Sequence, residues 1–398
     1  MMQKEKKTYD LTDLFKNGRE KTGVIVKDKK LACGFVPVKT GDRVPDPEKI
    51  YHVSGKTIVY CKDGFLRVKG DRGYKKFTPV PFNSAPMLFE AINNGKQCVA
   101  IRKASGIMLI SDKTDYIKCE DGDLYYTCFG RTFIGKDNLL KIIDEYDFYS
   151  GNEEKDVRII VLSEEFGKII ALSSYKNALV IVCKKKILSL TFDGNGLYSL
   201  ENRESVEINV EEKTVKKAGD KIFFLSQNNL YYISDKTEKI NSLLSDRKFT
   251  VLSDAFTYNG CYFLPIKENG ENKVYVYDAN RDCDYFIKAE NLIFSDGGLA
   301  VDTLSGFLYR LEEDGDGYRE IKSETTDFDV IGKKHLVGLS AYSEYPVSLK
   351  IEGDFGASTF NFNGGEILFQ CNLYSGRFTF TFYSETKIAI ENAKIIVG

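Results

Sequence analysis

The chain has 398 residues, 42% hydrophobic and 29% charged, a composition typical of a folded protein rather than a disordered one. Its 56 basic and 58 acidic residues give a formal net charge of -2, which argues against nucleic-acid binding through overall charge. Nine cysteines occur without any CxxC pair, mostly in apolar runs, which argues against a disulfide scaffold and favours folding in a reducing cytoplasm.

The N-terminal segment, residues 1–46, lies outside the repeats described next. It has a lysine-rich start, a short apolar patch from Leu11 to Phe15, and the turn-forming sequence Pro45-Asp-Pro47. No apolar stretch follows the first lysines, and no apolar run in the chain is long enough to span a membrane. We therefore expect an arm or a ring-closing strand here, with no secretory signal and no membrane span.

A unit of about forty residues recurs over residues 47–311. Each copy opens at a glycine or asparagine turn, continues as an apolar strand, and returns through a short polar turn into a second strand. The clearest copies start at Gly55 and Gly219. The opening positions are residues 55, 95, 122, 177, 219, 260 and 297. This spacing is typical of propeller blades and predicts an all-β, six- or seven-bladed β-propeller-like domain; two β-sandwiches with evenly spaced hairpins are the alternative.

Helices are expected to be scarce. The spacing of apolar residues predicts short amphipathic helical connectors at Met87 to Ile92 and at Asp137 to Asp144.

The C-terminal segment, residues 318–398, has a different pattern. It follows an acidic, glycine-rich turn or linker, Glu312 to Gly317, and alternates apolar and polar residues with period two. This alternation predicts a separate β-sandwich with one wet face on each sheet. The run Asp314-Gly-Asp-Gly317 has the closely spaced oxygens of a calcium loop, but it lacks the EF-hand pattern, and a polar turn is the preferred interpretation.

Residues with catalytic chemistry are few. The two histidines, His52 and His335, are far apart in sequence, without the spacing of a metal site or a catalytic triad. No phosphate-binding loop is present, and the basic run Lys184 to Lys186 is interpreted as a solvated hairpin turn. A pair of carboxylates such as Asp254 and Asp278 keeps a glycosidase as the principal enzyme alternative, although the chain lacks tryptophan. We predict a non-enzymatic protein with no catalytic, cofactor-binding or metal-ligating residue and no cofactor.

Several segments carry a family resemblance. The stretch from Lys168 to Leu190 resembles the central segment of propeller-containing structural proteins of tailed bacteriophages. Thr214 to Ile233 is similar to the next blade of that family, and Ala255 to Phe286 to the blade after it. In that last blade Tyr285 and Phe286 stand where many relatives have tryptophan. Altogether the resemblance covers roughly Arg158 to the C-terminus.

The resemblance implies a virion structural protein of a tailed phage or prophage. Such a protein acts at the neck, the portal vertex or the tail hub, or stabilises packaged DNA, as part of a ring of identical copies. Its partners would be portal, adaptor or tail components, contact with packaged DNA would be compatible with it, and assembly would take place in the host bacterial cytoplasm. The alternatives are a carbohydrate-active or carbohydrate-binding propeller and a protein-binding propeller scaffold.

Overall fold

The structure is a computed structural model. It describes residues 7–17, 20–27, 30–70, 73–93, 96–103, 106–110, 114–117, 122–143, 157–193, 198–203, 207–245, 247–313, 319–325 and 334–397. Strands account for 66% and helices for 3% of the residues it describes, so the fold is all-β.

The elements of the N-terminal part alternate short strands with tight turns. In chain order they are β1 (Lys7–Asp10), α1 (Leu11–Asn17), β2 (Glu20–Thr22), β3 (Val24–Lys27), β4 (Lys30–Cys33), β5 (Val36–Arg43), β6 (Pro47–Val53), β7 (Lys56–Cys61), β8 (Leu66–Gly70), β9 (Gly73–Lys76), β10 (Leu88–Asn93), β11 (Lys96–Lys103), β12 (Gly106–Ile110) and β13 (Thr114–Ile117).

The central part continues with β14 (Leu124–Cys128), β15 (Arg131–Lys136), β16 (Leu139–Ile143), β17 (Val157–Val161), a 3₁₀ turn (Glu164–Phe166), β18 (Ile169–Tyr175), β19 (Ala178–Cys183), β20 (Ile187–Phe192), β21 (Tyr198–Asn202), β22 (Lys216–Ala218), β23 (Lys221–Ser226), β24 (Asn229–Ile233), β25 (Thr237–Lys239), β26 (Thr250–Val251), β27 (Phe256–Tyr258) and β28 (Cys261–Glu268).

The C-terminal part contains β29 (Glu271–Asp278), β30 (Cys283–Lys288), β31 (Leu292–Ser295), a 3₁₀ turn (Asp296–Gly298), β32 (Leu299–Asp302), β33 (Phe307–Glu312), β34 (Arg319–Thr325), β35 (Lys334–Ser343), β36 (Val347–Gly353), β37 (Gly356–Phe362), β38 (Gly365–Ser375), β39 (Phe378–Ser384) and β40 (Ala389–Val397).

The chain divides into two compact units. We call the first the sandwich unit; it combines Met1–Thr40, Gly270–Glu290 and Tyr309–Gly398. The second, the propeller unit, combines Gly41–Asn269 and Asn291–Leu308.

Successive hairpins build the sheets of the propeller unit. Five antiparallel sheets follow one another along the chain, each made of four consecutive strands: β6–β9, β10–β13, β14–β17, β18–β21 and β22–β25. A sixth sheet contains β28 with β26 and β27. The last has the order β31-β32-β33-β5, so it takes one strand from the N-terminal side of the repeats. Four antiparallel strands in a row form the unit of a β-propeller blade.

Apolar side chains pack each sheet of the propeller unit on the next. Four clusters of buried apolar side chains each bridge two neighbouring sheets, from the first and second to the fourth and fifth. The Phe223 and Tyr262 rings, 5.4 Å apart, join the fifth sheet to the sixth, and the stacked rings of Phe256 and Phe294 join the sixth to the last. A further cluster packs the last sheet on the first. The sheets therefore form a closed ring of seven, which confirms the expected propeller.

Backbone contacts near the ends of the propeller unit complete its last sheet. The Val44 N–H donates to the Gly306 carbonyl oxygen over 2.8 Å, and the Arg43 side chain donates to Ser305 O. Gly306 has a φ of +75°, and a Cβ added there would lie 2.1 Å from Val44 O. Only glycine allows this close approach of two chain segments that are far apart in sequence.

Two sheets form the sandwich unit. One has the order β3-β4-β40-β35-β38, with β1 also paired to β40. The other contains β29-β30-β2-β34-β39-β36-β37. Their shared core is aliphatic and phenylalanine-rich, and the Phe15 ring of α1 lies 6.2 Å from the Phe382 ring. Its fully buried members include Leu11, Leu31, Ile321, Leu336, Leu349, Ile351, Phe378, Phe380, Ile390 and Ile395.

The structure confirms some of the sequence-based expectations and contradicts others. The expected repeat hairpins are confirmed as strand pairs, whereas the two expected helices are wrong. Met87 to Ile92 is largely β10, and Asp137 to Asp144 contains β16, because both short apolar runs pair in antiparallel ladders. An arm or a ring-closing segment was expected over residues 1–46. Within it, β2 pairs with β34 and β4 with β40 in the sandwich unit, and β5 pairs with β33 in the last sheet described above. The Asp314 to Gly317 run lies outside the described residues.

Candidate functional site: the axial belt of the propeller unit

The first strand of each sheet in the propeller unit borders the inside of the ring. Strand β6 contacts β10 and β31, β14 contacts β10 and β18, and β27 contacts β22 and β31. This is the position of the innermost strand of a propeller blade, around the axis where pockets of such folds occur. Polar side chains lie on these strands or, for Asp296, in the turn that follows β31. We call them the axial belt: His52, Tyr126, Ser174, Lys216, Lys217 and Asp296.

On one side of the axial belt, three sheets are joined through Ser174. The Tyr126 hydroxyl donates to Ser174 Oγ over 2.9 Å and accepts from the Ser174 N–H at 3.1 Å. The Lys217 ammonium donates to the Ser174 carbonyl oxygen at 2.7 Å. Strands β14, β18 and β22 are therefore connected by hydrogen bonds in addition to their apolar packing.

On the other side, Asp296 joins three sheets. Its carboxylate lies 2.6 Å from the Lys216 ammonium and accepts the Thr257 N–H at 3.0 Å. The two charged side chains are each about one-third exposed, at 34%. Lys216 and Lys217 are neighbours on β22, so their side chains leave the strand on opposite faces and reach opposite neighbours.

His52 packs on the turn that carries Asp296. A Cβ added to Gly297 would lie 3.3 Å from the His52 ring, so the imidazole is in close contact with this backbone. Gly297 has a φ of +78°, which favours glycine there. The His52 Nδ1 atom is buried and meets no hydrogen-bond partner among the described residues. Two further links continue around the ring, namely the Ser54 Oγ to Cys98 O hydrogen bond and the stacked rings of Phe89 and Tyr125.

The Cys128 thiol, which feels the charge of Lys217 in the axial belt, is poorly suited to nucleophilic chemistry. Burial raises the pKa of Cys128 to about 12, although the charges of Lys217 and Arg131 act in the opposite direction. Burial likewise raises the pKa of Cys61, and that of Cys283 to about 12. A catalytic cysteine requires a lowered pKa, because the thiolate is the nucleophile.

The residues considered in the sequence do not form one cluster. Asp278 is buried in the sandwich unit, where it accepts the N–H groups of Asn280 and Arg281 and pairs with the Arg281 guanidinium at 2.7 Å. Asp254 is exposed in the propeller unit, 3.8 Å from the Lys49 ammonium. His335 stacks on Tyr374, with ring centroids 4.3 Å apart.

The basic turn and the cysteines have the surroundings expected of them. Lys184 to Lys186 connect β19 and β20, and the Lys184 ammonium donates to Val210 O at 2.8 Å. In the described part of the chain every cysteine is free, and five are buried: Cys33, Cys61, Cys98, Cys183 and Cys261.

The described residues contain no group of three or more histidine, cysteine, aspartate or glutamate side chains placed to hold a metal ion. Among these same residues, no helix is long and apolar enough to cross a membrane.

Sequence reasoning did not single out Lys216, Lys217 or Asp296. A signal for them exists, since each lies one to three residues before an opening glycine of the repeat, Gly219 or Gly297. His52 and Ser174 lie three residues before the openings at Gly55 and Asn177. Aligning the repeats on their opening turns and comparing the positions just before them would have found these five members of the axial belt, but not Tyr126, which follows the opening at Gly122.

These features define an all-β protein with a propeller unit and a sandwich unit. No family model matches the chain, and no curated protein matches it. Among solved structures, virginiamycin B lyase from Staphylococcus aureus is 15% identical, with 77% of this chain and 98% of that chain covered and a TM-score of 0.44. BamB from Moraxella catarrhalis is 12% identical, with 78% and 97% covered and a TM-score of 0.41. Raptor from Chaetomium thermophilum is 10% identical, with 71% and 30% covered and a TM-score of 0.48.

Proposed function

We propose that this chain is a non-enzymatic structural protein, and specifically a virion component of a tailed phage or prophage. In this proposal the propeller and sandwich units supply rigid surfaces for neighbouring subunits, and the protein is built into a multimer at the neck, portal vertex or tail. The narrower, virion part depends on the sequence resemblance of residues 158–398, and the broader part on the axial belt.

The observation that carries the broader part is the way the axial belt uses its polar groups. Lys216 is paired with Asp296, and Lys217 donates to the backbone of Ser174. Asp296 also accepts a backbone N–H. A general acid or base must be able to exchange its proton with a substrate, whereas groups that join neighbouring sheets stabilise the ring. The belt therefore favours a structural role for the axis.

Asp278, one of the two carboxylates considered for glycoside hydrolysis, is held in a similar way, whereas Asp254 is exposed. Asp278 accepts two backbone N–H groups and an arginine, and it is 1% exposed. Both carboxylate oxygens are held by these donors and the side chain is buried, so Asp278 is not placed to exchange a proton with a substrate. The raised pKa of the Cys128 thiol argues in the same direction against a cysteine nucleophile.

The proposal is tested by co-sedimentation and by an activity screen on the same preparation. The purified chain is mixed with the particle fraction of its source and separated on a density gradient. We expect it to move with the particles, and to turn over none of a panel of chromogenic glycosides.

Two results would contradict the proposal in different ways. If the chain remains at the top of the gradient as a monomer, the virion role is wrong. If a glycoside is turned over and Asp296→Asn abolishes that turnover while the variant stays folded, the axial belt is catalytic and the protein is an enzyme. Lys168→Met serves as the matched control, because it removes a solvent-exposed ion pair with Glu212 outside the belt.

A further inference from the structure

Strand β38 is an edge strand of unusual length. It has 11 residues, Gly365–Ser375, and among the described strands it ends its sheet in the sandwich unit. The strand at the other end of that sheet, β3, has four residues. The outer strands of the propeller sheets are shorter than β38, from three residues in β25 to eight in β5, and β37 at the edge of the other sandwich sheet has seven. Long edge strands offer a row of backbone groups to any additional strand.

Strand β38 has few of the charged side chains that usually protect such an edge. Glu366 lies at its start, and from Ile367 to Ser375 it contains no charged residue and no proline. Its outward-facing Leu368 and Tyr374 are 77% and 53% exposed. By contrast, β9 ends in Lys75 and Lys76, and charges also lie in β17, β21 and β25. The shorter edge strand β37 is also uncharged, so β38 is the longest uncharged stretch among these edges, where charges would oppose pairing between copies.

The inward face of β38 is also incompletely covered. Phe369, Cys371 and Leu373 pack against the core of the sandwich unit but remain half-buried. The Phe369 ring stacks on Phe360 of β37, with centroids 3.9 Å apart. The register with β35 shifts between Leu336 and Gly338, yet the alternation of inward and outward residues on β38 continues unbroken. An added strand would cover these apolar side chains.

We propose that β38 pairs antiparallel with β38 of a second copy of this chain, about a twofold axis at Cys371. In this register Leu368 lies opposite Tyr374 of the second copy, and Gln370 lies opposite Asn372 of the second copy. On the inward face, Phe369 lies opposite Leu373 of the second copy. Apolar residues therefore meet apolar residues, the two amides meet each other, and no like charges are opposed. A twofold interface requires such self-complementarity, because the same patch serves both copies.

The inference goes beyond the proposed function and does not depend on it. A twofold contact closes after two copies, so it gives a dimer and not a cyclic ring. Dimer formation and particle binding are measured separately, and either can fail while the other holds.

The experiment uses paired charge variants of the full chain. In Gln370→Lys/Asn372→Lys each lysine faces a lysine of the other copy, and Gln370→Glu/Asn372→Glu opposes carboxylates in the same way. The matched control is Ala357→Lys/Thr359→Lys, which puts two lysines at exposed positions of β37, the edge of the other sheet. Sedimentation velocity is measured up to about 1 mM, because small interfaces are weak.

We expect the wild type and the β37 control to dimerise, and each β38 variant alone to have a dissociation constant raised about tenfold or more. A mixture of the lysine and glutamate variants should recover the dimer, because opposite charges then face each other, and this recovery also proves that both variants are folded. The proposal is overturned if the wild type is monomeric at the highest concentration, if the β38 variants dimerise as well as the wild type does, or if the mixture gives no dimer.

Discussion

Replacing Gly306 by alanine tests the contact that completes the last sheet of the propeller unit. The added methyl group would lie 2.1 Å from Val44 O. The two backbone segments cannot move apart to relieve this clash without disturbing the hydrogen bond from the Val44 N–H to the Gly306 carbonyl oxygen. Gly219→Ala is the matched control, because Gly219 also has a positive φ, +61°, but nothing lies within 4 Å of its added Cβ.

The two variants should differ by the cost of the clash alone. Alanine at a positive φ costs about 1–2 kcal/mol, which applies to both positions. The steric overlap at Gly306 adds about 1–3 kcal/mol, the range found for overpacked sites. Urea unfolding followed by tyrosine fluorescence measures both free energies, since the chain has 24 tyrosines and no tryptophan. Equal losses in the two variants would refute the close approach of Gly306 to Val44.

Three further predictions follow from buried or shifted ionisable groups. Arg247→Met should lower the free energy of unfolding by about 3–5 kcal/mol, because the buried Glu268 carboxylate then loses the guanidinium 3.0 Å away. The double variant Arg247→Met/Glu268→Leu should recover most of the lost stability, because no buried charge remains. Equal losses in the single and double variants would argue against this pair. The hydrogen bond from Arg67 lowers the pKa of Asp63 to about 2. This pair should therefore stabilise the fold above the unfolded pKa of about 3.9 and lose its contribution as the pH falls through about 2. In a pH series of urea unfolding, Asp63→Asn should cost at most about 1 kcal/mol at neutral pH, because the carboxylate is 45% exposed, and nothing at the acid end. Cys128, whose pKa is raised to about 12, should react with a thiol reagent at neutral pH far more slowly in the native chain than in urea, and equal rates would contradict its burial.

The repeated hairpins were predictable because each is specified locally. In the copy that opens at Gly219, the apolar run of β23, the turn at Gln227 and Asn228, and β24 are contiguous in sequence. Gln227 and Asn228 both have positive φ, as a tight hairpin turn requires. Short apolar runs without such a turn were less informative. The segment that forms β16 was misinterpreted as helical because its spacing fits both structures until its neighbours β15 and β17 pair with it.

The axial belt and the composition of the sandwich unit depend on contacts between distant residues. Lys216 and Asp296 are 80 residues apart and meet only because their strands are neighbours around the ring. The apolar patch from Leu11 to Phe15 was visible in the sequence, but its burial against strands near the C-terminus was not. Hydrophobic periodicity indicates which face of an element is buried, and it leaves open which element covers that face.

Electron microscopy of the particle provides the most direct test of the proposed structural role. The purified chain is imaged in negative stain, alone and after mixing with the particle fraction of its source. The proposal predicts multimers and extra density at one vertex or along the tail. Particles without added density, together with a chain that remains monomeric beside them, would contradict it.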